Sequence, residues 1–73
     1  MQITNKISEQ TPSVKWNIFD GQMLGLMKNG NAVVLNFSKE SVSFQCVWPD
    51  GGSTNFADMG ESSIIERIQS YNN

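Results

Sequence analysis

AVVLNFSKESVSFQCVWPDGGSTNF, residues Ala32 to Phe56, decides how the rest of the chain must be arranged. Successive side chains on a strand point to opposite faces, so alternation of apolar and polar residues marks a half-buried strand. Val42, Phe44, Cys46 and Trp48 alternate with Ser43, Gln45 and Val47, while upstream Val33, Leu35 and Phe37 take one parity and Ala32, Val34 and Asn36 the other. The polar run Ser38, Lys39, Glu40 and Ser41 separates the two strands. Whether that break is a two- or four-residue loop, Phe37 stands opposite Val42, Leu35 opposite Phe44 and Val33 opposite Cys46, which makes one face continuously apolar. In the next turn, Pro49, Asp50, Gly51 and Gly52, proline presets φ and glycine accepts the left-handed conformation of a tight reversal. A two- or four-residue loop would put Phe56 beside Gln45 on the polar side, whereas a three-residue loop of Asp50, Gly51 and Gly52 with a glycine bulge buries it, with Phe56 opposite Cys46 and Thr54 opposite Trp48.

Upstream of this core, Val14, Trp16 and Ile18 alternate with Lys15 and Asn17 and end at Asp20 and Gly21, a pair suited to a two-residue hairpin turn. That turn sets Phe19 opposite Gln22, Ile18 opposite Met23 and Trp16 opposite Gly25, a large ring over a strand glycine. Asn29 and Gly30 suggest a type I′ turn, which places Leu26 opposite Val33 and Leu24 opposite Leu35. Downstream the period changes. Ile64, Ile65, Ile68 and Tyr71 recur at helical spacing, and either Asp58 with Glu61 or Ser63 with Glu66 has a capping-box arrangement. A helix this short must dock on the sheet to be stable. Ile3 and Ile7 share helical spacing, yet two apolar positions are too few to specify a helix.

The expected fold is α+β: a five-stranded antiparallel β-meander (strands near 14–19, 22–28, 31–37, 42–48 and 53–57) with one C-terminal helix, about 60–71, packed on one face. Residues 1–12 are expected as a flexible or edge-lying arm and 13–73 as a single domain. These registers put Leu24, Leu26, Val33, Leu35, Phe37, Val42, Phe44, Cys46, Trp48 and Phe56 on the helix-covered face. The other face receives Val14, Trp16, Ile18, Met23, Met27, Ala32, Val34 and Val47, more apolar surface than a solvated sheet face usually carries.

Composition bounds the chemistry. With 73 residues, 38% hydrophobic and 16% charged, the chain suits one small globular domain rather than disorder. The formal net charge is −2, and the five basic residues Lys6, Lys15, Lys28, Lys39 and Arg67 are scattered, so duplex nucleic acid is not an expected partner. One cysteine and no histidine exclude an internal disulfide and a Ser-His or Cys-His catalytic pair. Cys46 is expected as an inert buried thiol. No metal or cofactor is expected. Asp50, Asp58 and Glu61 have structural explanations in a turn and a first helical turn, and Gly51 and Gly52 do not open a helix as a phosphate loop would. Asn36, Phe37 and Ser38 match the glycosylation acceptor pattern but lie inside a strand. The N-terminus lacks an apolar run of signal-peptide length and no stretch approaches a membrane span, which gives the cytoplasm as the expected compartment and no membrane partner.

The functional expectation is a non-enzymatic protein-binding module acting through the second sheet face or an edge, on itself as a homodimer or on a larger target. The candidate interface is Val14, Trp16, Ile18, Met23, Met27 and Val34, with Trp16 as anchor. An internal alternative has Ile3 and Ile7 folding back over the strip. A chain of this size fits a stand-alone regulator or inhibitor of the kind phages and mobile elements encode. The alternative of another class is a small barrel-like single-strand nucleic-acid binder presenting Trp16 with Lys15 and Lys28, which the deficit of positive charge disfavours.

Overall fold

The computed structural model of the chain describes residues 2–39 and 41–72. Seven elements follow one another: α1 (Gln2–Gln10), β1 (Lys15–Phe19), β2 (Gln22–Leu26), β3 (Ala32–Phe37), β4 (Val42–Val47), β5 (Ser53–Phe56) and α2 (Glu61–Tyr71). The strands form one antiparallel meander in the order β1-β2-β3-β4-β5, with both helices on one side, so the class is α+β as the alternation requires. No helix among the described residues is long and apolar enough to cross a membrane.

The β3–β4 register is the expected one, with Phe37 opposite Val42, Leu35 opposite Phe44 and Val33 opposite Cys46. β1 and β2 also pair as expected, Trp16 against Gly25 and Ile18 against Met23. Only Gly21 of that turn has positive φ, at 77°. Between β2 and β3 the register differs by one residue from the type I′ expectation. Leu24 faces Val34 and Met23 faces Leu35, because the loop has three residues: Met27 N–H donates to Asn31 O at 2.9 Å and Gly30 N–H to Met27 O at 3.1 Å. A type I′ turn would need positive φ at Asn29 as well; the three-residue loop confines it to Gly30, at 91°.

The same mould shapes the β4–β5 turn. Trp48 N–H donates to Gly52 O at 2.8 Å, Gly51 N–H donates to Trp48 O at 2.9 Å, and Gly51 takes φ 96°. In each loop the middle side chain accepts from the backbone two residues on: Asn31 N–H to Asn29 Oδ1 at 3.1 Å, Gly52 N–H to Asp50 Oδ1 at 2.9 Å. The loop is therefore Pro49, Asp50 and Gly51, one residue earlier than expected, and Phe56 faces Phe44 rather than Cys46. Phe56 keeps the expected face, since the offset is two residues.

The one-residue slip at Gly30 turns β1 and β2 over as a unit. Met23 and Met27, expected on the second face, are buried with Val33, Leu35, Phe44 and Cys46, while Leu24 and Leu26 point away from the helices. Methionine fills irregular gaps well, and here it fills the space between a sheet and two helices. Desolvation pushes the Cys46 thiol above its ordinary pKa, which disfavours the thiolate.

The second helix is the other departure from expectation. Residues Gln2–Gln10 are not an arm without regular structure but form α1, whose Ile7 is fully buried in the core. Helix α1 lies alongside α2 and runs in the same direction, joined by Lys6 to Glu61 at 3.1 Å near one end and by Gln69 Nε2 donating to Gln10 O at 3.1 Å near the other. Its C-terminus is tied to β1. Trp16 Nε1 donates to Thr11 Oγ1 at 2.9 Å, and the buried Thr11 hydroxyl donates to Ile7 O at 2.7 Å, satisfying a free helical carbonyl.

Helix α2 starts within the expected window but without a capping box: Gly60 is the N-cap, with no side-chain hydrogen bond. Asp58 instead takes a left-handed conformation, φ 54°, in the connection from β5. At the other end Asn29 Nδ2 and Asn31 Nδ2 both donate to Tyr71 O, at 2.8 and 3.0 Å, so the β2–β3 loop closes the helix. Tyr71 also meets Trp48 edge-on at 5.0 Å between ring centroids, and the Arg67 guanidinium lies 4.3 Å over Phe56.

These contacts make Gly30 the more demanding glycine. A Cβ there would sit 3.2 Å from Pro49 Cγ, whereas nothing lies within 4 Å of one at Gly51. Gly30→Val is expected to cost about 2 kcal/mol, and Gly51→Asn well under half of that, because Asn tolerates positive φ. Thermal melts of the two variants check this, and an unchanged midpoint for Gly30→Val would reject the hairpin.

Candidate protein-contact surface

Two helices on one side leave the other face of the sheet open. By register its apolar members are Phe19 from β1, Leu24 and Leu26 from β2, Ala32 and Val34 from β3, and Val47 from β4. Around them stand Asn17, Gln22, Asn36 and Gln45, with Gln22 Nε2 donating to Asn36 Oδ1 at 3.0 Å, and Lys15 as the charged strand residue of this face. A shallow depression of about 260 Å³ lies here, lined by Lys15, Asn17, Leu24, Leu26, Ala32 and Val34.

The large apolar side chains most exposed to solvent lie along the β1–β2 pair, Phe19 and Leu26 on the open face near its two ends and Ile18 on the helix side of the edge. Ile18 is 50% exposed, Phe19 55% and Leu26 53%; the first two lie on edge strand β1, and Leu26 is the cross-strand neighbour of Lys15. Lys15 and Lys28 flank a second depression of about 300 Å³ with Ser13, Leu26 and Met27. Among the described residues the salt bridge is that of Lys6 with Glu61, so neither of these two lysines is ion-paired. Side chains of this kind, apolar and neutral polar with a basic margin, suit contact with another polypeptide.

The six residues expected at an interface separate. Val14, Met23 and Met27 are buried beneath the helices at 6%, 0% and 2% exposure. Trp16 is half-buried, its ring over Gly25 and its indole N–H held by Thr11. Ile18 shares the covered face but protrudes at the edge, and Val34 alone of the six lies on the open face. Their common strip depended on the β2–β3 register, and the slip dispersed it. The same slip brought out Leu24 and Leu26, which the type I′ turn had placed in the core. One signal in the sequence could have found them: Lys28-Asn29-Gly30 repeats the pattern of Pro49-Asp50-Gly51, in a turn where a three-residue loop, placed one residue later at Asp50-Gly51-Gly52, was the expectation.

Trp16 and Lys15 are adjacent on β1 and project from opposite faces, so the pair does not form one stacking platform. Comparison with known proteins finds no matching family model, no similar curated sequence and no similar solved structure.

Proposed function

We propose that this chain is a non-enzymatic protein-binding module whose contact surface is the β1 edge with the adjoining open face of the sheet. The observation that carries the proposal is that Ile18 and Phe19 are each about half exposed on edge strand β1, with the equally exposed Leu26 on the neighbouring β2, beside a sheet face that the helices leave open. Large side chains held in solvent by a rigid sheet represent unspent hydrophobic free energy, on the order of 25 cal/mol per Å² of apolar area removed from water on association. Charge depletion across Asn17, Leu24, Leu26, Ala32, Val34 and Gln45 supports the same reading, because the centres of protein interfaces are poor in charged residues. A chain of 73 residues acting by such contact fits a regulator or inhibitor.

A photo-cross-linking residue at Phe19, compared with one at the exposed Ser62 on α2, tests this in the cells that make the protein. Protein adducts at Phe19 that are lost on Leu26→Asp are the expected result. Adducts no more frequent at Phe19 than at Ser62 would reject the surface.

A further inference from the structure

We infer that the occupant of the β1 edge is the β1 strand of a second copy, paired antiparallel about a two-fold axis at Asn17 to make one continuous ten-stranded sheet. This rests on the proposed protein-contact surface and names its partner.

Hydrogen-bond phase comes first. Met27 N–H donates to Asn31 O, and Phe37 N–H donates to Gly21 O, both at 2.9 Å, so the odd-numbered residues of β2 turn their backbone groups toward β3. Alternation then turns Gln22, Leu24 and Leu26 toward their β1 partners Phe19, Asn17 and Lys15. What remains outward on the edge is the backbone N–H and C=O of Trp16 and Ile18. A second β1 can satisfy these only by pairing residues of that same phase.

One register uses the whole strand. Pairing Trp16 with Ile18 of the second copy, and Ile18 with its Trp16, forms four backbone hydrogen bonds and sets Asn17 against Asn17 on the axis. Shifting two residues either way keeps the phase but sets Phe19 against Ser13 or Trp16 against Asp20.

In the full register the side chains are complementary. On the helix side the half-exposed Ile18 meets Trp16 of the other copy. On the open side the Lys15 stem and ammonium meet the Phe19 ring, an apolar and cation–π pair. The strand's single charge never opposes itself, and the residue that must oppose itself is a neutral amide.

Edge strands of monomers are ordinarily blunted by proline, bulges, several charges or short length. The other edge, β5, fits that pattern: it is four residues long, is rich in Ser, Thr and Asn, and is followed by the left-handed Asp58. β1 is unbroken against β2 across five residues, and its Trp, Ile and Phe favour strands. The two-fold axis stands perpendicular to the sheet, so all helices of the pair share one side and the two open faces join into one.

Sedimentation of the full chain over micromolar to submillimolar concentration, with circular dichroism to confirm folding, reads the pairing. Asn17→Lys and Asn17→Asp should each weaken dimerisation about tenfold by opposing like charges on the axis, and their equimolar mixture should restore it. Asn17→Cys chains should cross-link to each other under mild oxidation, since directly opposed non-hydrogen-bonded residues lie within disulfide reach, while Ser62→Cys chains should not. A parent chain that stays monomeric throughout, or a charge mixture no more dimeric than its components, would overturn the pairing. Phe19 adducts to a different protein would then keep the contact surface and assign it a foreign strand; the absence of adducts would remove both.

Discussion

Phe44→Ala is expected to leave the protein largely unfolded at room temperature. Phe44 is 1% exposed and lies at the centre of the sheet between Leu35 and Phe56, its ring centroid 6.0 Å from that of Phe56 and 6.3 Å from that of Tyr71. Truncation removes the apolar contact and leaves a cavity that neighbours on two rigid strands cannot close, at a cost of about 3 to 5 kcal/mol. A single core in a domain of this size supplies about 3 to 5 kcal/mol of net stability, so the loss matches the whole. Denaturant titration followed by circular dichroism checks it. A variant that still melts cooperatively near the parent would show that Phe44 is not central.

How much of this was legible in the sequence depended on whether alternatives flipped a face. At Ser38–Ser41 both loop lengths gave the same pairing, so the centre of the sheet could be read without knowing the turn. At Pro49–Gly52 a two- or four-residue loop would have turned Phe56 to the polar side, and the need to bury Phe56 selected three residues; the observed loop differs from the expected one by two residues in register, which keeps Phe56 inward. At Lys28–Gly30 the alternatives differed by one residue, and the hydrophobic pattern could not choose: Leu24 and Leu26 on one parity are as apolar as Met23 and Met27 on the other. What chose was tertiary. Two helices needed flexible Met23 and Met27 beneath them, and α1 was invisible because its stripe is only Ile3 and Ile7 with Thr4 and Thr11 buried beside them. Polar residues that satisfy one another, such as Thr11 between Trp16 and Ile7, occupy a core without leaving an apolar period. The contact surface inherited that limit, since every expected member on β1 or β2 changed sides with the strand pair.

Gly25→Ala should cost nearly as much as a core deletion, although it adds only a methyl group. A Cβ at Gly25 would lie 2.6 Å from Trp16 Cζ3, 2.8 Å from Trp16 Cε3 and 2.8 Å from Val14 Cγ1. None of these can yield easily: the indole is fixed by its hydrogen bond to Thr11, which in turn holds Ile7 O at the end of α1, and Val14 is 6% exposed. Overpacking of this kind costs about 1 to 3 kcal/mol, and displacing the indole adds about 1 kcal/mol for its hydrogen bond. Had β1 and β2 faced the other way, the same ring would cover the same glycine in open solvent and could swing aside. The substitution therefore reads which side of the sheet the pair occupies. Trp16→Ala removes the ring, so the double variant should be only slightly less stable than Trp16→Ala alone, with the remainder owed to Val14. Tryptophan emission should shift to the red in Gly25→Ala as the Trp16 ring moves outward. Strictly additive losses in the double-mutant cycle, or a Gly25→Ala melt that overlays the parent, would place Trp16 outside the covered face and return Met23 and Met27 to solvent.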